Sequence, residues 1–100
     1  MKIKAVSIFT KSPAVAHRNI DEETIVIKAA QFPASSSEDR VVRYFNGSGT
    51  FIWKNIDGKN TVGDIINNIV SNFDVNRAVA SRHANNFIEI ILREGLIIPH

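Results

Sequence analysis

Residues 44–66, YFNGSGTFIWKNIDGKNTVGDII, connect the end of an apolar strand to two short helices and decide the order of the fold. The run NGSG at residues 46–49 contains residues that cap helices or accept a positive φ angle, which predicts the start of a first helix. Asp57-Gly58 ends that helix, because glycine readily takes the left-handed conformation of a helix terminus. Thr61 and Asp64 have the spacing of a capping box, so a second helix begins directly after Thr61.

Apolar spacing extends the helical half of the chain. The second helix carries one complete amphipathic stripe, formed by Val62, Ile65, Ile66, Ile69, Val70 and Phe73. Either Asp74 or Asn76 caps a third helix, which runs to about Glu94 and stops at Gly95. The apolar residues of this third helix cover roughly 220°, whereas a surface helix usually buries an arc a little over about 100°. One flank of the third helix therefore has apolar surface beyond what a single core contact needs.

The N-terminal half has the composition of strands. Residues 14–20 and 23–29 are predicted to form a hairpin, because residues 24–28 (TIVIK) are rich in β-branched side chains and a polar turn precedes them. Residues 40–45 are predicted to form a third strand, with Val42 and Tyr44 on the face opposite Val41, Arg43 and Phe45. With apolar residues on both faces, this strand is central, or covered on its outer face, or exposes one apolar residue by chance.

The other segments complete the predicted organisation. Residues 1–13 are expected to be an extended N-terminal arm, and residues 14–100 one domain. Residues 32–39, FPASSSED, are expected to form a mobile loop. Residues 96–98 either pair with the sheet or close the core. The predicted fold class is α+β and winged-helix-like: a three-stranded antiparallel sheet followed by three helices.

Length, composition and charge exclude several classes of protein. One hundred residues with 44% hydrophobic and 22% charged content are typical of a single globular domain. The absence of cysteine excludes disulfides and cysteine-ligated metals. Lys11 interrupts the N-terminal apolar positions before a signal peptide forms, and no run reaches the roughly 18 apolar residues of a membrane span. A cytoplasmic protein without a membrane partner is therefore expected. A net charge of +2 gives weak support for an acidic partner.

The residue types that often act in catalysis do not have the spacing of a catalytic, metal or phosphate site in this sequence. His17, His83 and His100 lack the spacing of a zinc site. The serines at residues 35–37 have no adjacent histidine, and the glycines at 47 and 49 lack the lysine of a phosphate loop. The sequence predicts no enzyme activity, no cofactor and no metal site.

The order of caps and core residues also carries a resemblance to a known family. The matching positions are Asn46, Gly49, Ile52-Trp53, Asp57-Gly58, Thr61, Asp64-Ile65, Phe87-Ile88, Ile91 and Gly95-Leu96-Ile97. In these positions the chain resembles the pyrroloquinoline quinone biosynthesis protein D (PqqD) family, winged-helix-like domains also called recognition elements for ribosomally made, post-translationally modified peptides. The similarity covers about residues 18–98. Residues 1–13 and 32–39 look longer than in a minimal member, which leaves the biosynthetic pathway open.

The resemblance implies a peptide-binding function. Members of the family bind the leader of a precursor peptide as an added strand beside the third strand, in a cleft walled by the third helix. They present it to a modifying enzyme such as a radical S-adenosylmethionine protein, a cyclase or a leader peptidase. On this hypothesis the strand residues of the site are Arg40, Val41, Val42, Arg43, Tyr44 and Phe45. The helix residues are Val79, Arg82, His83, Asn86, Ile90 and Arg93. Arg40, Arg43 and Arg82 are expected to pair with acidic leader side chains.

Other interpretations of the same residues remain open. Surface arginines are usually solvated, and Val79 and Ile90 are equally suited to a plain core. The sequence does not decide which flank of the third helix faces the cleft. A winged-helix DNA-binding protein is the alternative function, although Glu89 and Glu94 share the third helix with its arginines and make nucleic acid a poor fit. A third interpretation is an assembly subunit, a homodimer in which residues 1–9 exchange between protomers.

Overall fold

The computed structural model of the chain describes residues 3–28 and 41–100. Met1, Lys2, the predicted loop at residues 32–39 and the candidate site residue Arg40 lie outside the described residues. The strands are β1 (Phe9–Lys11), β2 (Val15–Ile20), β3 (Glu23–Lys28), β4 (Val41–Asn46) and β5 (Ile97–Pro99). The helices are α1 (Ser48–Asn55), α2 (Val62–Asn72) and α3 (Arg77–Arg93).

The predicted three-stranded antiparallel sheet is confirmed, with the strand order β2-β3-β4. β2 and β3 form a tight hairpin in which Ile20 lies opposite Glu23, and Asp21 takes a positive φ of 55° in the turn between them. β3 then pairs with β4 from Lys28 opposite Val41 to Glu23 opposite Asn46. β3 is therefore the central strand.

The register assigns each side chain of the sheet to one of two faces, because directly opposite residues share a face. Val26 and Phe45 lie on the inner face; Val26 is fully buried in the core and Phe45 packs against that core. Tyr44 lies on the outer face together with Ile25 and is 76% exposed. β4 is therefore not a central strand: its inner face packs on the core, and Tyr44 on its outer face is exposed.

The helix boundaries follow the capping signals in the sequence. At α2 the capping box is confirmed: Asp64 N–H donates to Thr61 Oγ1 at 3.0 Å, and Thr61 N–H donates to Asp64 Oδ2 at 2.9 Å. Of the two candidate caps of α3, Asn76 is the one used, since its Oδ1 accepts from Val79 N–H at 2.9 Å. Gly95 follows α3 with a φ of 74°, as a helix stop requires.

The N-terminal and C-terminal segments pack against each other. β1 pairs antiparallel with β5, from Phe9 opposite Pro99 to Lys11 opposite Ile97. Phe9, Leu96 and Ile97 are buried in the core with Trp53, so the C-terminal run does close the core. Its pairing partner is β1 and not the three-stranded sheet, because β1 and β5 form a separate two-stranded sheet.

Candidate functional site

β4 is an edge strand of its sheet within the described residues. Gly47 N–H donates to the Glu22 carbonyl at 3.2 Å, in the same register as the β3–β4 pairs. Hydrogen-bonded and non-bonded pairs alternate along an antiparallel ladder, so residues 41, 43 and 45 bond to β3. Val42, Tyr44 and Asn46 consequently turn their main-chain N–H and C=O groups away from β3. This side of β4 offers a row of donors and acceptors to another extended segment.

One flank of α3 lies beside this strand. The rings of Phe45 and Phe87 meet edge to face with centroids 4.9 Å apart, and Arg43 Nε lies 2.7 Å from Glu94 Oε2. Phe87 and Glu94 are seven residues apart, which places them on the same face of the helix. We call the surface formed by the free edge of β4 and the adjoining flank of α3, which meet at Phe45–Phe87 and Arg43–Glu94, the β4–α3 groove.

Four of the six helix residues in the predicted site lie on the groove side of α3. At about 100° per residue, His83 and Ile90 are about 40° and 60° from Phe87, turned in the direction of Glu94. Val79 and Asn86 follow on the same flank, at about 80° and 100°. Ile90 is 49% exposed, which is high for an apolar residue next to a core. The flank of α3 that lies beside β4 is therefore the one that carries His83 and Ile90.

The two predicted arginines of α3 lie farther from the groove. Arg82 and Arg93 are about 140° and 120° round the helix from Phe87. Arg93 Nη2 donates to Glu89 Oε1 at 2.9 Å, an exposed pair one helical turn apart. The structure therefore places Arg82 and Arg93 on the outer side of α3, apart from the strand residues of the predicted site.

An apolar cavity of about 320 Å³ adjoins the N-terminal end of the groove flank. It lies between the three helices and is lined by Ser48, Ile52, Ile69, Phe73, Val75, Val79, Ala80 and His83. Val79 and His83 belong both to the cavity and to the flank beside β4. The cavity is suited to an apolar side chain, since six of its eight lining residues are apolar.

A second depression of about 370 Å³ lies at the hairpin end of the outer sheet face. It is lined by Arg18, Ile20, Glu23, Thr24, Ile25, Tyr44, Phe45 and Asn46. Tyr44 borders this depression, whereas Phe45 packs against Phe87 on the other face. A segment paired with β4 would therefore meet protein surface on both of its faces.

The surroundings of His17 are apolar and cationic. His17 lies against Trp53 with ring centroids 5.5 Å apart, and burial together with the nearby Lys11 ammonium lowers the pKa of His17. Burial also lowers the pKa of Lys11, which donates to the Ile56 carbonyl. Within residues 3–28 and 41–100, no three histidine or acidic side chains are placed to share a metal ion. Among the helices of this part of the chain, none has the length and apolar character to cross a bilayer.

Sequence reasoning missed two residues that position the groove. In the sequence analysis Phe87 appears only among the positions of the family resemblance, and Glu94 only as the end of the third helix and as a charge that disfavours nucleic acid. Their spacing of seven residues is the signal that could have joined them on one face. The cavity residue Val75 was also missed, because it lies between α2 and α3, where no helical period applies. Phe73, which the sequence assigns to the stripe of the second helix, follows α2 as its extended C-cap and lines the cavity.

Comparison with known proteins identifies related folds. The family model described as coenzyme PQQ synthesis protein D (PqqD) matches residues 36–97. Among solved structures, the chain is similar to TbiB1 in complex with the TbiA(beta) leader peptide, with a TM-score of 0.72 at 18% identity. The match covers 88% of this chain and 93% of that chain. It confirms the predicted fold class. No curated protein matches the chain in sequence.

Proposed function

The chain belongs to the coenzyme PQQ synthesis protein D (PqqD) family, and from this premise we propose that it is a non-catalytic protein that binds the leader segment of a ribosomally made precursor peptide. The leader adds as a strand to the free edge of β4 and fills the β4–α3 groove. TbiB1, which shares the fold, was solved with a leader peptide bound, and this supports the proposal.

The free edge of β4 beside an exposed apolar flank of α3 is the observation that carries the proposal. An added strand bonds to the main chain of Val42 and Tyr44, and its alternate side chains point towards α3. Ile90, with half of its surface exposed, is available to contact those side chains. Val41 extends the proposed strand contact at its N-terminal end, and Phe45 supports it from the core side.

Main-chain pairing alone supplies too little free energy for a useful complex. Four main-chain hydrogen bonds at about 1 kcal/mol net each give about 4 kcal/mol, whereas a micromolar complex requires about 8 kcal/mol. Full burial of one apolar side chain contributes about 1.5–3 kcal/mol. The groove flank and the adjoining cavity of about 320 Å³ are the places where one or two leader side chains supply the rest.

The proposal includes presentation to an enzyme. A leader held along β4 leaves the following part of the precursor outside the groove, where a modifying enzyme can reach it. A radical S-adenosylmethionine protein, a cyclase or a leader peptidase fits this role. The same proposal places the protein in the cytoplasm, where ribosomally made precursors first appear.

A homodimer through the N-terminal segment is a further proposal. In the structure, residues 5–9 bond to the main chain of residues 58–63 of the same chain: Gly58 N–H donates to Phe9, Val62 N–H to Ser7 and Gly63 N–H to Ala5. An exchanged segment would make the same bonds in a partner. Light scattering over a concentration series tests this, and a mass of one chain throughout would reject the dimer.

An NMR titration tests the peptide-binding function. The probe is a peptide of about ten residues, selected from a randomised phage-displayed library by binding to the intact protein. We expect amide shifts at Val42, Tyr44, His83 and Ile90, because these line the groove, while His17 on β2 stays unchanged. Shifts that concentrate on β2 or β5 instead would overturn the proposed site.

A further inference from the structure

The guanidinium of Arg43 makes two contacts across the β4–α3 groove. Arg43 Nη1 donates to the Val42 carbonyl at 2.8 Å, and Arg43 Nε lies 2.7 Å from Glu94 Oε2. No well-directed hydrogen bond reaches Glu94 Oε2 among the described residues, so the contact with Glu94 is a charge pair. The Arg43 side chain is 47% exposed and that of Glu94 20%, which places the guanidinium near the surface of the groove.

The first contact uses a group that an added strand also requires. The Val42 carbonyl is one of the acceptors that β4 turns towards its free edge. In the free protein Arg43 therefore occupies the position of an incoming main-chain N–H, and its contact with Glu94 extends this bridge to α3. A peptide that pairs along the whole of β4 competes with Arg43 Nη1 for the Val42 carbonyl.

This exchange is unfavourable unless the peptide compensates it. A hydrogen bond from a charged donor is about twice as strong as one between neutral groups, and the peptide N–H is neutral. The displaced Nη1 then needs another acceptor, since Glu94 already lies against Nε. A carboxylate supplied by the peptide fits, because it accepts two parallel bonds from one guanidinium.

The surrounding charges also favour an acidic side chain. A Cβ built on Gly95 would clash with Lys28 Nζ, so this ammonium lies beside the C-terminus of α3, next to Glu94. Arg43 and Lys28 carry one positive charge each and Glu94 carries one negative charge, so one positive charge is left over. A carboxylate that enters here meets an excess of positive charge.

We infer that Arg43 determines the specificity of the groove by selecting a peptide with Asp or Glu at the position opposite Arg43. This inference rests on the proposed function. The residue opposite Arg43 has its side chain on the same face of the sheet, with Cβ atoms about 5 Å apart, so its carboxylate reaches the guanidinium. The side chains of the neighbouring peptide residues point to the outer face and do not reach the Arg43 guanidinium.

Library selection on the intact protein tests the inference. Randomised phage-displayed peptides of about ten residues are selected in parallel on the wild type, on Arg43→Met and on the control Arg77→Met, which removes an exposed arginine at the N-terminal end of α3 that donates to Asn67 on α2. We expect Asp and Glu to be enriched at one position with the wild type and with Arg77→Met, and not with Arg43→Met. In the best peptide, Glu→Gln at that position weakens binding to the wild type about tenfold and to Arg43→Met less than about twofold.

The outcomes separate this inference from the proposed function. Peptides that shift the β4 amides but show no acidic preference overturn the role of Arg43 and leave peptide binding intact. A library from which no peptide binds at β4 overturns both. In the free protein, NMR should show slower rotation of the Arg43 guanidinium about its Nε–Cζ bond than of the Arg18 guanidinium, and faster rotation in Glu94→Gln. Equal rotation rates for Arg43 and Arg18 would show that the bridge to Glu94 is absent.

Discussion

The two outer strands of the sheet, β2 and β4, both leave main-chain groups unpaired within the described residues, yet only β4 has the properties of a binding edge. Residues 16–20 of β2 are all exposed and mostly polar, and β2 meets α1 through His17 and Trp53. β4 carries apolar side chains on both faces and lies next to the exposed flank of α3. Polar and charged residues on an edge strand discourage pairing. The exposed flank of α3 beside β4 is therefore what distinguishes this edge from the edge of β2 as a candidate for strand addition.

The largest effect is expected when the flank of α3 loses its contact with β4. Phe87→Ala removes the contact between α3 and Phe45, and we expect the free energy of unfolding to fall by about 2–3 kcal/mol and peptide binding to weaken. Leu92→Ala is the matched control, since Leu92 is half-buried on the opposite flank of the same helix. Urea unfolding should show a similar loss of stability for Leu92→Ala with unchanged peptide affinity. Equal losses of affinity would contradict the role of Phe87.

Proline on each edge compares the two strands directly. Tyr44→Pro removes an N–H that faces the free side of β4 and breaks no bond to β3. A peptide carbonyl then stays unpaired, so we expect affinity to fall about 30-fold, or about 2 kcal/mol. His17→Pro is the control on β2, because residues 15, 17 and 19 face its free side by the same alternation. Calorimetry with a selected peptide measures both, and a comparable loss in His17→Pro would remove the distinction between the edges.

The exposed flank of α3 predicts a smaller effect. Ile90→Ser removes apolar surface from the groove, so peptide binding should weaken about fivefold, or about 1 kcal/mol, while thermal stability changes little. Ile98→Ser is the control, since Ile98 is 40% exposed on β5, outside the groove. If both variants bind the selected peptide as the wild type does, the flank is not part of the site.

The smallest expected effect is on the pH dependence of the free energy of unfolding, and it involves His17 on β2. Although His17 is exposed, partial desolvation of its ring, which lies against Trp53, lowers its pKa below the ordinary 6.5, with a contribution from Lys11. The folded chain then binds this proton less readily than the unfolded chain, so the free energy of unfolding decreases as the pH falls below about 6.5. His17→Gln should make the unfolding midpoint in urea less dependent on pH between about 8 and 5. An unchanged pH dependence in this variant would place its origin elsewhere.

Much of the fold was predictable, because its signals are local. The Thr61 and Asp64 capping box, the stop at Gly95 and the hairpin of β2 and β3 each depend on a few neighbouring residues. The pairing of β1 with β5 was not predictable, since two strands of three residues from distant parts of the chain have no local signal.

The candidate site was predictable in part. Alternation along β4 and the apolar excess of α3 indicated the two elements and most of their groove residues. The rotation of α3 about its axis did not follow, because an arc of about 220° allows more than one buried face. The Arg43–Glu94 bridge joins two residues whose proximity depends on that rotation.

The alternation of side chains along β4 limits which sequences fit the groove as an added segment. An extended segment paired with Val42 and Tyr44 shows every second side chain to α3 and the others to the outer face. Inserting one residue into that segment exchanges the two sets, whereas inserting two restores them one step farther along. On the proposed function, a leader with one inserted residue therefore presents the wrong set of side chains to α3, whereas a leader with two inserted residues presents the original set.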